Sequence, residues 1–318
     1  MPDTNWLTYD LPNFIGELFQ KGQRPNTFLQ LIGGINAYRP VRSTEFAVGQ
    51  QYQVPPHTSD RSRLEGADAP DHDGVQRSQI TNVTQIVQES VVVSYTAEGA
   101  SQQLAGLNVG GEVNPVESEL AFQTGVKLEL IARNLNWAFL NNSYQKPADN
   151  TQARRTRGLL SAITSNVEDN GGTPRDLTLD LIEDLMEKMV AAGAIVDGEN
   201  VIALANTAQL RKLNALFAAD KTKVDSDRFV GGVRVRTAYT AFGVVNFVLE
   251  HDMPQDQIVI ANFDAIGVVG MEIPGKGLLF REPLARTGAA ERYQIYGELG
   301  LDHGPEWLHG KITDLATA

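Results

Sequence analysis

The sequence predicts an α+β chain with an α/β-textured middle, a strand-rich last third and, ahead of both, elements too long for one globule of this size to satisfy. Three observations predict it. Residues Asn114 to Asn142, NPVESELAFQTGVKLELIARNLNWAFLNN, read as one amphipathic helix. It would be roughly 42 Å long at about 1.5 Å per residue, against a radius of gyration of roughly 20 Å for a compact chain of this length. Residues Ile80 to Tyr95 alternate apolar and polar in a run dense in Val, Ile and Thr, the pattern of a strand about 50 Å long at about 3.3 Å per residue. Late in the chain, short β-branched runs recur between turn residues.

Taken in order, residues 1–42 form an arm rather than a domain. Pro2, Pro12, Pro25 and Pro40 punctuate it, and its apolar residues come in short clusters at Phe14-Ile15, Leu18-Phe19 and Phe28 to Ile32. Such a segment docks on a surface but hardly folds alone. Residues 43–94 form a long β-loop whose ends are strand-like and whose middle, VPPHTSDRSRLEGADAPDHDG, has the composition of a tip. On its return limb Val83, Val87, Val91, Val93 and Tyr95 occupy alternate positions, interrupted by Gln85 and Glu89. Globular strands usually stop near about ten residues and an isolated ribbon is marginal in water, so this limb needs a partner surface.

In the long helix Asn114 is a good N-cap, Pro115 fits the first helical position and Glu117 completes a capping-box spacing. Leu128, Ile131, Leu135 and Ala138/Phe139 recur at three- and four-residue steps, with Glu129 and Arg133 as an i,i+4 pair on another face. Gly125 marks a bend or a close contact. After a polar turn, QKPADNTQARRTRG, Thr178 caps a helix to about Ala192, with Ile182, Leu185, Met186, Met189 and Val190 inward and Gly193 at C′. Val201 to Leu204 is a short buried strand, and Asn206 opens a helix carrying Leu210, Leu213, Leu216 and Phe217. The polar run Asp220 to Arg228 breaks the pattern. Strands follow at Val233 to Thr237, Val244 to Leu249, Ile258 to Ala261, Val268 to Ile273, Leu278 to Phe280, Tyr293 to Leu301 and Leu308 to Ile312.

Composition narrows the function. With 318 residues, 42% of them apolar, the chain can bury a sizeable core. No cysteine is present, which removes disulfides, thiolate catalysis and cysteine metal sites and suits a reducing cytoplasm. A formal charge of −12 disfavours nonspecific binding to nucleic acid or an anionic membrane, since both need a cationic surface. There is no basic n-region ahead of an apolar run at the start, and no run of about 18 apolar residues anywhere.

Catalytic signals are weak. GMEIPGKG, Gly270 to Gly277, has P-loop spacing, but Gly277 stands where Ser or Thr would ligate magnesium. The residues that follow read as a strand rather than the helix a phosphate needs, so a turn between strands is expected. Asp71-His72-Asp73 and His57 lie in the polar tip, His251-Asp252 reads as turn chemistry, and His303 and His309 flank Trp307 in packing and turn roles. The carboxylate pairs Glu117/Glu119 and Glu183/Asp184 read as solvated helix faces. No catalytic residue, metal ligand or cofactor site is assigned. Arg154, Arg155 and Arg157 form the one tight basic cluster; in so acidic a chain they read as a grip on a neighbouring subunit rather than a plain exposed turn.

The succession VVVSYTAEGASQQLAGLNVGGEVNPVESELAFQTGVKLELIARNLNWAFLNNS, then RRTRGLLSAI, then the ending RYQIYGELGLDHGPEWLHGKITDL, resembles tailed-bacteriophage major capsid (major head) proteins of the Hong Kong-97-like fold. The motifs SYTAEGAS, Lys127, Glu129 and Arg133 on the helix, and Arg157-Gly158-Leu159 carry the resemblance, which covers most of the chain. It implies an N-terminal arm at 1–42, an extended loop at 43–94 and a peripheral domain at 95–157 with a spine helix at 114–142. An axial domain at 158–275 and C-terminal strands at 276–318 that return to the core complete it. It further implies a virion protein, assembled in the host cytoplasm, whose pentamers and hexamers enclose double-stranded DNA without binding it specifically. Portal, scaffolding and decoration proteins would be its partners. The tip charges Arg61, Arg63, Asp71 and Asp73, with Arg154, Arg155 and Arg157, are then candidate inter-subunit contacts. Some relatives weld subunits through a lysine on the extended loop; here no lysine lies between Lys21 and Lys127, so that isopeptide crosslink is not expected. No scaffolding-type domain is evident ahead of the arm, so either a separate scaffolding protein or a sequence already trimmed of such a domain is expected. An encapsulin shell protein and an acidic cytosolic α/β enzyme centred on 158–275 are the alternatives.

Overall fold

Helix caps and period-two alternation define the elements of a computed structural model that describes residues 24–52, 62, 64–68, 74–97, 118–194, 196, 200–219, 224–230 and 233–317. In chain order these are α1 (Thr27–Leu31), β1 (Tyr38–Val41), β2 (Glu45–Tyr52), β3 (Arg77–Val83), β4 (Gln85–Ser94), α2 (Glu119–Asn141), α3 (Leu159–Ala162) and β5 (Val167–Glu168). Then come α4 (Leu179–Ala191), β6 (Val201–Ala205), α5 (Thr207–Ala219), β7 (Val224–Val230), β8 (Val233–Thr240), β9 (Gly243–Leu249) and β10 (Ile258–Asn262). β11 (Gly267–Met271), β12 (Leu279–Pro283), β13 (Ala290–Asp302) and β14 (Gly310–Ile312) complete the order.

The strands form a five-stranded sheet, a seven-stranded sheet and a two-stranded ribbon. In the first, β13 is central: β4 pairs with it antiparallel from Gln85↔Leu299 to Ser94↔Ala290, while β12 and β11 share its other edge and β1 joins β11 in parallel. The second runs β5-β14-β10-β6-β9-β8-β7. The chain crosses between these sheets three times, from β4 through α2 to β5, from β10 to β11 and from β13 to β14.

Two apolar cores result: one is shared by the five-stranded sheet, α2 and one face of the seven-stranded sheet, which contributes Ile202, Leu204, Val248 and Val259, and the other lies on the opposite face of the seven-stranded sheet. α2 lies on β4 and β13 with Ile131, Leu135, Phe139 and Leu140 fully buried among Val87, Val91, Ile295 and Leu299. Burying each such side chain contributes about 1.5–3 kcal/mol relative to leaving it exposed. α4 covers the seven-stranded sheet with Ile182, Leu185, Met186 and Met189, over β6, whose five residues are all buried. Thr178 accepts a hydrogen bond from the Leu181 amide at 3.3 Å, and Gly193 takes φ +92° after the helix, the left-handed C′ conformation the sequence anticipates.

Several expectations change. The helix read as Asn114–Asn142 is α2, capped by Ser118, whose hydroxyl accepts from the Ala121 amide at 3.3 Å; Asn114 to Glu117 lie outside the described residues. Glu129 and Arg133 do pair, at 2.6 Å. Leu128 stays 41% exposed, and nothing lies within 4 Å of the position a Cβ on Gly125 would take, so that glycine marks no close contact. Val190, expected inward, is 43% exposed, because at the C-terminal turn of α4 it falls off the stripe that faces the sheet. The polar run Asp220 to Arg228 overlaps β7, an end strand of its sheet, where one neighbour supplies the ladder and apolar alternation is not required.

The largest change concerns the run Ile80 to Tyr95. It is two strands, broken at Thr84: β3 pairs with β2 in the ribbon, and β4 enters the five-stranded sheet. Residues 24–41, expected as an arm, are built into the same body. Phe28 is fully buried against Phe263, at 5.7 Å between ring centroids, and β1 adds a strand to the sheet.

Candidate functional site

The ribbon leaves the body at a buried polar node. Asn82 is fully buried and uses all of its hydrogen-bonding capacity. Its amide nitrogen donates to the Leu301 carbonyl at 2.8 Å and the Arg157 carbonyl at 3.2 Å, and its oxygen accepts from the Val83 and Arg157 amides, each at 2.8 Å. Thr84, also fully buried, donates its amide to the Thr44 carbonyl at 2.8 Å and its hydroxyl to Glu298 at 3.3 Å. Arg154 pairs with the same carboxylate at 3.0 Å, and Tyr296 donates to its other oxygen at 2.8 Å. Burial and that carboxylate push the Tyr296 hydroxyl up to about 12. A Cβ on Gly300 would meet the Phe46 ring at 2.8 Å, so the foot of β2 rests directly on β13.

Beyond this root β2 and β3 pair, among the described residues, with each other alone, and Tyr52 is 66% exposed. The polar interruptions of the alternating run have partners from the body. Gln85 accepts from Asn142 at 2.9 Å, and Glu89 pairs with Lys127 of α2 at 3.0 Å.

A second polar cluster anchors α1. Asn136, fully buried on α2, accepts from the Leu29 amide at 2.9 Å and donates to Glu250 at 3.1 Å and Asp252 at 2.6 Å. Glu250 also takes the Phe28 amide at 2.7 Å, and burial holds its carboxyl above the ordinary value. Sequence reasoning missed Asn136 and Glu250; a buried-spacing Asn within an apolar helical stripe is the one local signal that could have pointed to the former.

A third joins the two sheets. His309 sits fully buried before β14, its Nε2 against the His303 carbonyl at 2.7 Å and its Nδ1 accepting from the Asn262 amide at 3.2 Å, so it ties the β10–β11 and β13–β14 crossings together. His303 Nδ1 lies 2.8 Å from the Gly304 carbonyl. Burial lowers both rings to about 4.

The residues singled out from sequence separate clearly. GMEIPGKG forms a closed turn between β11 and β12, with Ile273 and Gly277 exchanging backbone bonds at 3.0 Å and Lys276 paired with Glu282 at 2.6 Å. His251 and Asp252 occupy the turn after β9. Arg154 binds Glu298 within the chain; Arg157 stacks on Tyr144 at 4.5 Å; Arg155 is exposed, its backbone bridged to Gln145. Arg61, Arg63, Asp71, Asp73, His57 and His72 lie outside the described residues. Among the described residues no group of three or more His, Asp or Glu side chains is placed to hold a metal ion, and no helix is long and apolar enough to cross a membrane.

The geometry is that of a two-sheet body with a two-stranded ribbon leaving it. A family profile described as SU10 major capsid protein matches residues 2–316. No curated protein matches the chain. Among solved structures, the capsid of cyanophage A-1(L) aligns with a TM-score of 0.63 at 12% identity, covering 93% of this chain and 95% of that one. The holo-SrpI encapsulin of Synechococcus elongatus PCC 7942 aligns with a TM-score of 0.59 at 13% identity, covering 95% and 94%. The capsid of the Myoviridae phage XM1 gives 0.56 at 12% identity, covering 94% and 95%. At such identities the likeness is one of fold, the Hong Kong-97-like fold.

Proposed function

Since this chain belongs to the SU10 major capsid protein family, we propose that its copies join as pentamers and hexamers into a closed icosahedral head shell around double-stranded DNA. Its role is that of a phage major capsid protein, a structural component of the virion. The observation that carries the finer reading is the ribbon. A two-stranded ribbon is marginal in water by itself, and β2 and β3 have no third strand among the described residues, so their cover comes from neighbouring subunits. In this reading the extended loop expected at 43–94 is its protruding part, residues 43–83, rooted at Thr84, while β4 has joined the body, and α2 is the spine of a peripheral domain at 95–157. Residues 158–275 are the axial domain around the capsomer centre, and 276–318 return through both sheets. The tip charges Arg61, Arg63, Asp71 and Asp73, with exposed Arg155, make contacts between subunits. Portal, scaffolding and decoration proteins complete the head, which assembles in the host cytoplasm.

The charge of −12 keeps packaged DNA from adhering to the inner wall, so emptied shells should retain no DNA at physiological salt. With no lysine between Lys21 and Lys127, mature particles should run as single subunits on a denaturing gel. The decisive experiment expresses the chain with and without a scaffolding protein and follows light scattering and negative-stain images across protein and salt concentration. Capsomers, shells or tubes are expected; a monomer under every condition, scaffolding included, would overturn the reading. Particle contents separate it from an encapsulin, which shares the fold but encloses protein cargo.

A further inference from the structure

β5 and β14 run side by side in parallel, Lys311 opposite Val167 and Ile312 opposite Glu168, and one carboxylate ties together the chain beyond them. Asp314 has φ +60°, the left-handed region that costs most residues other than glycine, and it alone does so among the described non-glycine residues. Its Oδ2 accepts from the Asn170 amide at 2.8 Å and the Gly172 amide at 2.9 Å, and those two bonds hold its carboxyl below the usual carboxylate range. The loop so gripped is a tight turn. The Thr173 amide donates to the Asn170 carbonyl at 3.2 Å, Gly171 and Gly172 take φ +61° and +80°, and the Gly171 amide donates to Asp169 Oδ1 at 3.1 Å. The same residue positions the segment after β14. The Arg175 amide donates to the Asp314 carbonyl and the Ala316 amide to the Arg175 carbonyl, each at 2.8 Å, while Gln209 and Lys212 of α5 donate to the Ala316 carbonyl, each at 2.9 Å.

Asn170-Gly171 is the only Asn-Gly pair in the sequence. Residues 169–174 are all exposed, and nothing lies within 4 Å of where a Cβ on Gly171 or Gly172 would stand. A glycine after asparagine leaves its backbone nitrogen open to attack the asparagine side-chain carbonyl carbon, and its conformational freedom lets a turn reach the geometry of that attack. We propose that Asn170 is a site of spontaneous deamidation, braked by the carboxylates that hold its turn, and that its conversion releases residues 313–316 from the turn. The Gly171 nitrogen gives its proton to hydroxide and bonds to Cγ of Asn170; the Cγ–Nδ2 bond breaks, and Nδ2 leaves as ammonia with a proton from water. Water then opens the succinimide at either of its carbonyls, to aspartate or to isoaspartate. Asp314 holds the amides on both sides of Gly171 and so opposes the rotation that brings Gly171 nitrogen to Cγ. Either product carries a carboxylate where the Asn170 side chain now donates to the Thr173 carbonyl at 2.8 Å, and places it beside Asp169 and Asp314, where like charges repel. Isoaspartate also adds a methylene to the turn backbone, which pulls the two amides out of register with Asp314.

The full-length chain is aged at mildly alkaline pH in heavy-oxygen water, then digested for mass spectrometry. The peptide carrying Asn170 should convert several-fold faster than any other asparagine peptide, taking up heavy oxygen and giving both isomers; conversion no faster than elsewhere would overturn the proposal. Asp314→Gly keeps the left-handed backbone and removes the carboxylate. It should speed conversion several-fold in the native chain and leave the rate in urea unchanged, and an equal native rate would rule out the brake. In the aged parent chain, amide hydrogen exchange at Arg175 and Ala316 should rise several-fold over the fresh chain, while exchange in β6 stays as it was. Unchanged exchange at both amides after full conversion would sink the release of residues 313–316.

Discussion

Val83 and Val87 stand four residues apart in one alternating run, yet they belong to different structures. The strand carrying Val83 is bonded, among the described residues, to β2 alone and leads out of the body, whereas the strand carrying Val87 lies between β13 and α2. Gln85 interrupts the period between them, but Glu89 does the same inside β4, so a polar residue at an alternate position does not mark the break. What changes is the supply of partners at Thr84: its amide goes to Thr44, its hydroxyl to Glu298, and Asn82 fixes the turn of the chain against Leu301 and Arg157. Apolar alternation therefore encodes which face of a strand is buried, and a satisfied polar node encodes where the strand changes partners.

The contrast between body and ribbon can be broken from either side. Acid should act hardest, and on the body. His303 and His309 stay neutral in the fold down to about 4, while an unfolded histidine takes up its proton near 6.5. The unfolded chain thus binds more protons between those values, and stability present above about pH 6.5 is lost as the pH falls towards about 4, by about 3 kcal/mol per ring at about 1.36 kcal/mol per unit. Glu250 and Asp302, held above their ordinary values by burial, protonate first in the fold and offset part of this loss. Urea midpoints between pH 7 and 4.5 measure the net fall.

Next in size, Ile295→Ala empties a site 2% exposed on β13 beneath α2, and should cost about 2–5 kcal/mol in the same assay. Glu298→Gln weakens the node itself, leaving Arg154 without its ion partner. A loss of about 1.5–3 kcal/mol is expected, together with a broader distribution of ribbon angles by spin-label distances between ribbon and body; a stability loss with an unchanged distribution would show that the node does not set the angle. Smallest for the fold is Tyr52→Ala on the ribbon, within about 0.5 kcal/mol of the parent. Its effect belongs to assembly, where light scattering should show fewer or slower shells.

The same division explains what the sequence made legible. α4 could be read almost residue by residue, because its cap, its inward stripe and its Gly193 are all local, and only Val190 at the last turn escaped. β6 and the strands after residue 230 were visible for the same reason. The break at Thr84 was invisible, since its partners Thr44, Arg154 and Glu298 are distant in sequence and individually unremarkable. Asn136 and Glu250 escaped likewise: their roles exist only once α1, α2 and the end of β9 meet. β7 was hidden because an end strand needs no apolar alternation. Arg154 reads as a surface cation in its basic cluster, and only the fold shows its carboxylate partner.

β13 is the strand that β4, β11 and β12 all require, and it pairs with β4 from about 200 residues further along the chain, the kind of distant contact that slows folding. During synthesis the amino-terminal strands and α2 emerge long before it and wait with their apolar faces uncovered. The five-stranded sheet closes only once residues 290–302 have left the ribosome, so a nascent subunit carries sticky, unfinished surfaces until then. It acquires its ribbon root at the same step, since Glu298 and Leu301 belong to that strand. One strand thereby decides both when the apolar faces are covered and when the ribbon gains a fixed base.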